Sequence, residues 1–117
     1  MSDIAVEELS ARLAEVAILD VRSPGEYDGT GGSPCDPRQG HIPGARHVEI
    51  YRLLDLSPDD ARAELGLEDG AEVVAYCHSG SRSALAALAL RAAGYSARNY
   101  PGSWHEWSRH DELPLER

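Results

Sequence analysis

The chain has 117 residues, 42% hydrophobic and 26% charged, which predicts one globular domain, 1–117, burying roughly two-thirds of its extended-chain surface and excludes a disordered chain or a long solenoid. Twenty acidic residues against eleven arginines, with no lysine, give a formal charge of -9; such a surface repels phosphate backbones, no basic cluster offsets it, and no nucleic-acid partner is expected. No apolar run approaches the ~18 residues of a membrane span, and MSDIAVEELS lacks the basic and apolar segments of a secretory leader, so no membrane partner and a cytoplasmic location are expected.

Residues 3–14 place Val6, Leu9 and Leu13 near one helical face, with Asp3 or Ser2 as cap, and predict a first helix. Val16–Val21 is a short, β-branched apolar run that reads as a buried strand ending at Asp20 to Arg22. Ser23-Pro24-Gly25-Glu26-Tyr27 combines a cap with proline at a helix start, which predicts a brief helical turn. Asp28–Gly40 holds four glycines and two prolines without periodicity and is expected to run outside the core. Arg46–Ile50 reads as a short strand leading into a loop with Leu53, Leu54 and Leu56.

Ser57-Pro58 starts a helix that runs to Leu65 and stops at Gly66. Ala71–Tyr76 is the second clear strand, Cys77–Ser83 a polar loop, and Ala84–Ala93 a helix with Leu85, Leu88, Ala89 and Ala92 on one face and Gly94 as its cap. Ala97–Tyr100 is a last short strand, and Ser103–Trp107 begins the final helix. Helices alternating with short apolar strands imply a three-layer α/β domain with a largely parallel sheet, its ligand site at the carboxyl ends of the strands.

Cys77 stands where an apolar strand stops and just before a helix. The backbone N–H groups of His78 to Ser83 can converge there as an anion-binding nest at the positive helix end, where a thiol ionises readily. Arg82 adds positive charge, although a cation at a helix start opposes the dipole and needs an anion beside it. Gly80 between Ser79 and Ser81 suits a tight turn with positive φ. The loop thus offers a nucleophile and donors for developing negative charge. A lone cysteine at a strand end is also a common small core residue.

The sequence resembles the rhodanese-like domain: Cys77-His78-Ser79-Gly80-Ser81-Arg82-Ser83 matches a C-x4-R-[ST] loop, with Asp20-Val21-Arg22 and Gly40-His41-Ile42-Pro43-Gly44-Ala45 as two further landmarks. The stretch from Tyr27 to Asp36-Pro37-Arg38, together with Tyr100-Pro101-Gly102-Ser103-Trp104-His105-Glu106-Trp107, looks most like the catalytic C-terminal half of two-domain thiosulfate or 3-mercaptopyruvate sulfurtransferases. The resemblance implies that Cys77 accepts a sulfane sulfur from a small, thiosulfate-like donor. The resulting persulfide is held by the loop amides and passed to a thiol or cyanide-like acceptor, or to a sulfur-accepting protein. It implies no organic cofactor and no metal. Arg82 carries over as the loop arginine and Asp20 as the acid that ties down backbone, while Arg22 is expected to pair with a carboxylate such as Glu26. Where the two-domain enzymes carry an arginine before an aromatic residue, this chain has Glu26-Tyr27-Asp28-Gly29, which removes a substrate-binding cation. Phosphatases with a related loop use C-x5-R, and the shorter ring here favours a single sulfur over a tetrahedral phosphate. A noncatalytic sulfur-carrier or regulatory binding module is the alternative.

His78 is expected to face solvent, or else to contact the donor anion. His41 is expected to hydrogen-bond across its turn, and Arg38 and Arg82 to attract anions locally. Trp104 and Trp107 either cover the site or replace the core volume of the absent phenylalanines. Cys35 is either an incidental surface thiol or a partner for Cys77. The two cysteines lack C-x2-C spacing, and His47, His105 and His110 lack mutual helical spacing, so no metal cluster is expected.

Overall fold

The computed structural model describes residues 3–117. They form four strands, β1 (Ala17–Asp20), β2 (Arg46–His47), β3 (Glu72–Tyr76) and β4 (Ser96–Asn99), and six helices. The helices are α1 (Val6–Ala11), α2 (Pro24–Asp28), α3 (Ile50–Asp55), α4 (Pro58–Leu65), α5 (Ser81–Ala92) and α6 (Ser103–Trp107). All pairings are parallel in the order β2-β1-β3-β4, as expected for strands whose apolar residues run without interruption.

Alternation along the central strands divides the core between the sheet's two faces. Leu19, Val21, Val73, Ala75 and Cys77 join α3, α4 and α5 through Leu53, Ala61, Leu65, Ala86, Ala87 and Leu90. Ile18, Val74 and Tyr76 join Val6 and Leu9 of α1, and Trp104 and Trp107 of α6. Cys77 therefore continues the β3 pattern toward the α5 side, while Tyr76 faces the opposite layer.

Several local expectations are corrected. Helix α1 is shorter than residues 3–14, and its N-cap is Ala5, without a side-chain cap bond; Ser2, the alternative cap, lies outside the described residues. The segment read as a loop around Leu53 and Leu54 is α3, whose buried Ile50 and Leu53 give it an apolar face. Helix α5 begins at Ser81, not Ala84, with Gly80 as N-cap in the left-handed region at φ 97°. Its core face is also different: Ser83, Ala86, Ala87 and Leu90 are buried, whereas Leu85 and Leu88 are more than half exposed. Small residues on the inner face let α5 approach the sheet closely, and that close packing overrides the larger leucines in setting the helix rotation.

The 28–40 segment is pinned down. Arg38 donates from Nε to the Ser108 carbonyl, from Nη1 to Leu113, and from Nη2 to Trp107 and His110. Asp36 within it is buried. No helix among the described residues is long and apolar enough to cross a membrane.

Candidate active site

Asp20 and Cys77 lie at neighbouring strand ends, because β1 pairs with β3 in a register that sets Asp20 opposite Tyr76. The Asp20 carboxylate is fully buried and satisfied: it accepts from Arg22 N, from Arg22 Nε and Nη2, and from the Tyr76 hydroxyl at 2.6 Å. Arg22 also donates to the Gly40 carbonyl at 2.6 Å and lies over the Trp104 ring. This pair fastens the ends of β1 and β3 to the turn before Ile42, whose N–H donates to Tyr76 Oη. The expected Arg22–Glu26 pair does not form. Asp20 is closer in sequence and already buried, so it takes the guanidinium.

Glu26 instead meets Arg82, Nη1 to Oε1 at 2.9 Å and Nη2 to Oε2 at 3.1 Å. Ser23 N and Oγ also donate to Glu26 Oε1, completing a capping box at the start of α2. Burial raises the Glu26 pKa, but Arg82 and Ser23 outweigh it and bring the carboxyl to about 2. The anion required beside a cation at the start of α5 is thus supplied by the protein.

The Cys77 sulfur lies under the first turn of α5. Gly80 N donates to Sγ at 3.1 Å and Ser83 Oγ donates at 3.3 Å. Burial pushes the thiol pKa up, yet it sits below the ordinary thiol value because the Ser83 hydroxyl and the N–H groups of Ser83, Gly80 and Ser79 favour the thiolate. The charge of Arg82 also acts on this sulfur. Cys77 is only 1% exposed, with Ser79 and Ser81 at the surface on either side of buried Gly80.

The turn at Gly80 is held from β4. Asn99 Nδ2 donates to the Gly80 carbonyl, and a Cβ at Gly80 would stand 2.7 Å from the Pro101 carbonyl oxygen, so only glycine fits. Ser103 Oγ accepts from Cys77 N at 3.1 Å and donates to the Tyr100 carbonyl, with Ser103 itself at φ 55°. Trp104 N and His105 N donate to the carbonyls of Cys77 and His78, docking α6 on the loop. Asn99 and Ser103 are contributors that sequence reading missed, since nothing local to them announces a contact across the sheet. Glu26 was legible in principle: an unexpected acid there and an arginine needing an anion at 82 are complementary.

The remaining expected site residues separate from Cys77 chemistry. Arg38 is not placed to attract anions, because its donors are committed to main-chain carbonyls. Trp104 is a core residue, fully buried, its Nε1 donating to the Arg38 carbonyl. His41 Nδ1 pairs with the Tyr27 carbonyl and its ring stacks on Tyr27 at 3.8 Å. His78 is half-buried; its Nε2 pairs with Asp36 Oδ1 at 3.3 Å and lies 3.0 Å from Oδ2, and its ring meets His105 edge-on. Both cysteines are free, Cys35 at the surface and Cys77 buried.

A family model described as rhodanese-like domain matches residues 5–110. The chain is 36% identical over 121 residues to a thiosulfate sulfurtransferase of Pseudomonas aeruginosa, covering 94% of this chain and 44% of that protein. It is 38% identical over 112 residues to a thiosulfate sulfurtransferase of Azotobacter vinelandii, covering 88% of this chain and 41% of that one. Among solved structures, a probable thiosulfate sulfurtransferase superposes with a TM-score of 0.85 at 43% identity, over 98% of this chain and 47% of that chain. The chain thus spans less than half the length of these relatives.

Proposed function

The chain belongs to the rhodanese-like domain family, and from that membership we propose that it is a sulfurtransferase that moves a sulfane sulfur from a thiosulfate-like donor to a thiophilic acceptor. The carrying observation is the Cys77 sulfur, favoured as thiolate by donors from Gly80 and Ser83 despite its burial. The likeness to thiosulfate sulfurtransferases supports the donor class.

In this reading the Cys77 thiolate attacks the outer sulfur of thiosulfate. A new S–S bond forms, the donor's S–S bond breaks, and sulfite leaves with the bonding pair. The amides that hold the thiolate then face the persulfide, whose outer sulfur bears the negative charge. A cyanide or thiolate acceptor attacks that sulfur, and Cys77 departs as the thiolate. Since the residue is 1% exposed, donor reaches Sγ only when the loop side chains around it move aside, so turnover includes an opening step. Arg82 is a positioning residue: Glu26 holds it in two hydrogen bonds, which leaves it supplying potential to the loop and does not leave it free to grip a phosphate dianion. That favours sulfur transfer over phosphate hydrolysis.

Intact mass after incubation with thiosulfate tests the proposal. Wild type should gain one sulfur that cyanide removes as thiocyanate, and Cys77→Ser should gain none. Equal thiocyanate formation by both proteins would overturn it.

A further inference from the structure

At His78, the residue after Cys77, three separate chain segments bring four unlike donor groups together. Cys35 and Asp36 come from the pinned excursion, His78 from the loop after β3, and His105 from α6. One donor atom from each of the four lies within 4.8 Å of all the others. The sequence spacing gave no sign of this grouping.

The carboxylate at the centre is the informative group. The Asp36 side chain is 1% exposed, and its Oδ1 accepts from Arg109 Nη1 at 2.9 Å. Its Oδ2 is buried and has no hydrogen-bond partner, while His78 Nε2 pairs with Oδ1 at 3.3 Å and stands 3.0 Å from Oδ2. A buried carboxylate oxygen without a donor is costly, and a cation beside it would remove that cost. His105 Nδ1 is 3.9 Å from Asp36 Oδ1, and Cys35 Sγ is 3.8 Å from the same oxygen and 3.0 Å from Ser33 Oγ.

The scaffold around the cluster is built. His105 N donates to the His78 carbonyl, Arg109 Nη2 to the Cys35 carbonyl, and Gln39 Nε2 to the Asp36 carbonyl. These bonds fix the three segments relative to one another while leaving the four donor groups pointed together.

We infer that Cys35, Asp36, His78 and His105 form a binding site for a divalent transition metal, with Zn²⁺ the best match. One sulfur, two imidazole nitrogens and one carboxylate oxygen are a ligand set of zinc type, and hard cations such as Mg²⁺ and Ca²⁺ prefer all-oxygen shells. Bond lengths of ~2.0–2.3 Å put tetrahedral ligands about 3.3–3.8 Å apart, so the cluster closes by about 1 Å on binding. Cys35 at the surface and the half-exposed His105 side chain are free to make that movement. Binding releases the Cys35 thiol proton to solvent, and thiolate plus carboxylate neutralise the ion's two charges.

The test uses the full chain stripped of metal and titrated with Zn²⁺ against a chromophoric chelator, with Co²⁺ as the spectroscopic probe. Wild type should take one equivalent at micromolar concentration and show thiolate-to-cobalt charge transfer with tetrahedral visible bands. Cys77→Ser should bind like wild type. Cys35→Ser should lose the charge-transfer band, and both it and His105→Ala should bind at least about tenfold more weakly. Both substitutions fall on exposed residues, so the fold is retained. The assignment is overturned if wild type takes no equivalent, if Cys77→Ser abolishes binding, or if either Cys35→Ser or His105→Ala binds like wild type.

Discussion

Replacing Glu26 by Gln isolates the charge of the Glu26–Arg82 pair while keeping an oxygen for the Ser23 capping box. A carboxyl whose pKa falls from 4.5 to about 2 on folding corresponds to roughly 3 kcal/mol of preference for the charged form. The Arg82 side chain is 33% exposed and that of Glu26 16%, so solvent screening reduces the net contribution to about 1–2 kcal/mol. Because the folded-state pKa is depressed, this stability is fully present above pH ~4.5 and disappears as pH falls toward about 2. Urea unfolding of wild type and Glu26→Gln should therefore differ by about 1–2 kcal/mol at pH 7. The gap should shrink steadily below pH ~4.5. A gap that is absent at pH 7, or that stays constant down to pH ~3, would refute the view that the pair is an ionic contact of the folded state.

Ser83→Ala removes one donor to the Cys77 sulfur, a hydrogen bond to a charged group worth about 1.5–3 kcal/mol. Iodoacetamide alkylation of Cys77 should shift to higher pH and slow by roughly tenfold or more near neutrality, while an unchanged pH profile in a folded variant would count against the hydroxyl's role. Arg38→Ala leaves the carbonyls of Trp107, Ser108, His110 and Leu113 without their shared donor and should cost about 3 kcal/mol or more in urea unfolding. At temperatures where that variant stays folded, its KM for thiosulfate should match wild type. A raised KM with unchanged stability would return Arg38 to the binding site.

The parallel α/β architecture and the Cys77 loop were legible because they rest on local patterns. Short apolar runs identify doubly covered strands, and a nucleophile between such a strand and a helix start already has the helix amides beside it. The charge partners were not legible in the same way. Arg22 fell to Asp20, two residues away, while Glu26 took Arg82 across 56 positions of sequence, a pairing that only the folded arrangement of α2 beside the Cys77 loop brings about. The rotation of α5 is of the same kind: an alanine-rich helix carries little information in its hydrophobic pattern, so packing on the sheet decided that Leu85 and Leu88 face outward. Arg38, read as a site cation, and Asp36, read only as part of a landmark, owe their roles to the C-terminal segment folding over the excursion. Sequence by itself determined the chemistry available at Cys77, since neighbours along the chain create that environment. Tertiary structure alone decided which charges meet and which donors converge on Asp36, because electrostatic and coordinating contacts depend on distance in space and carry no local periodicity.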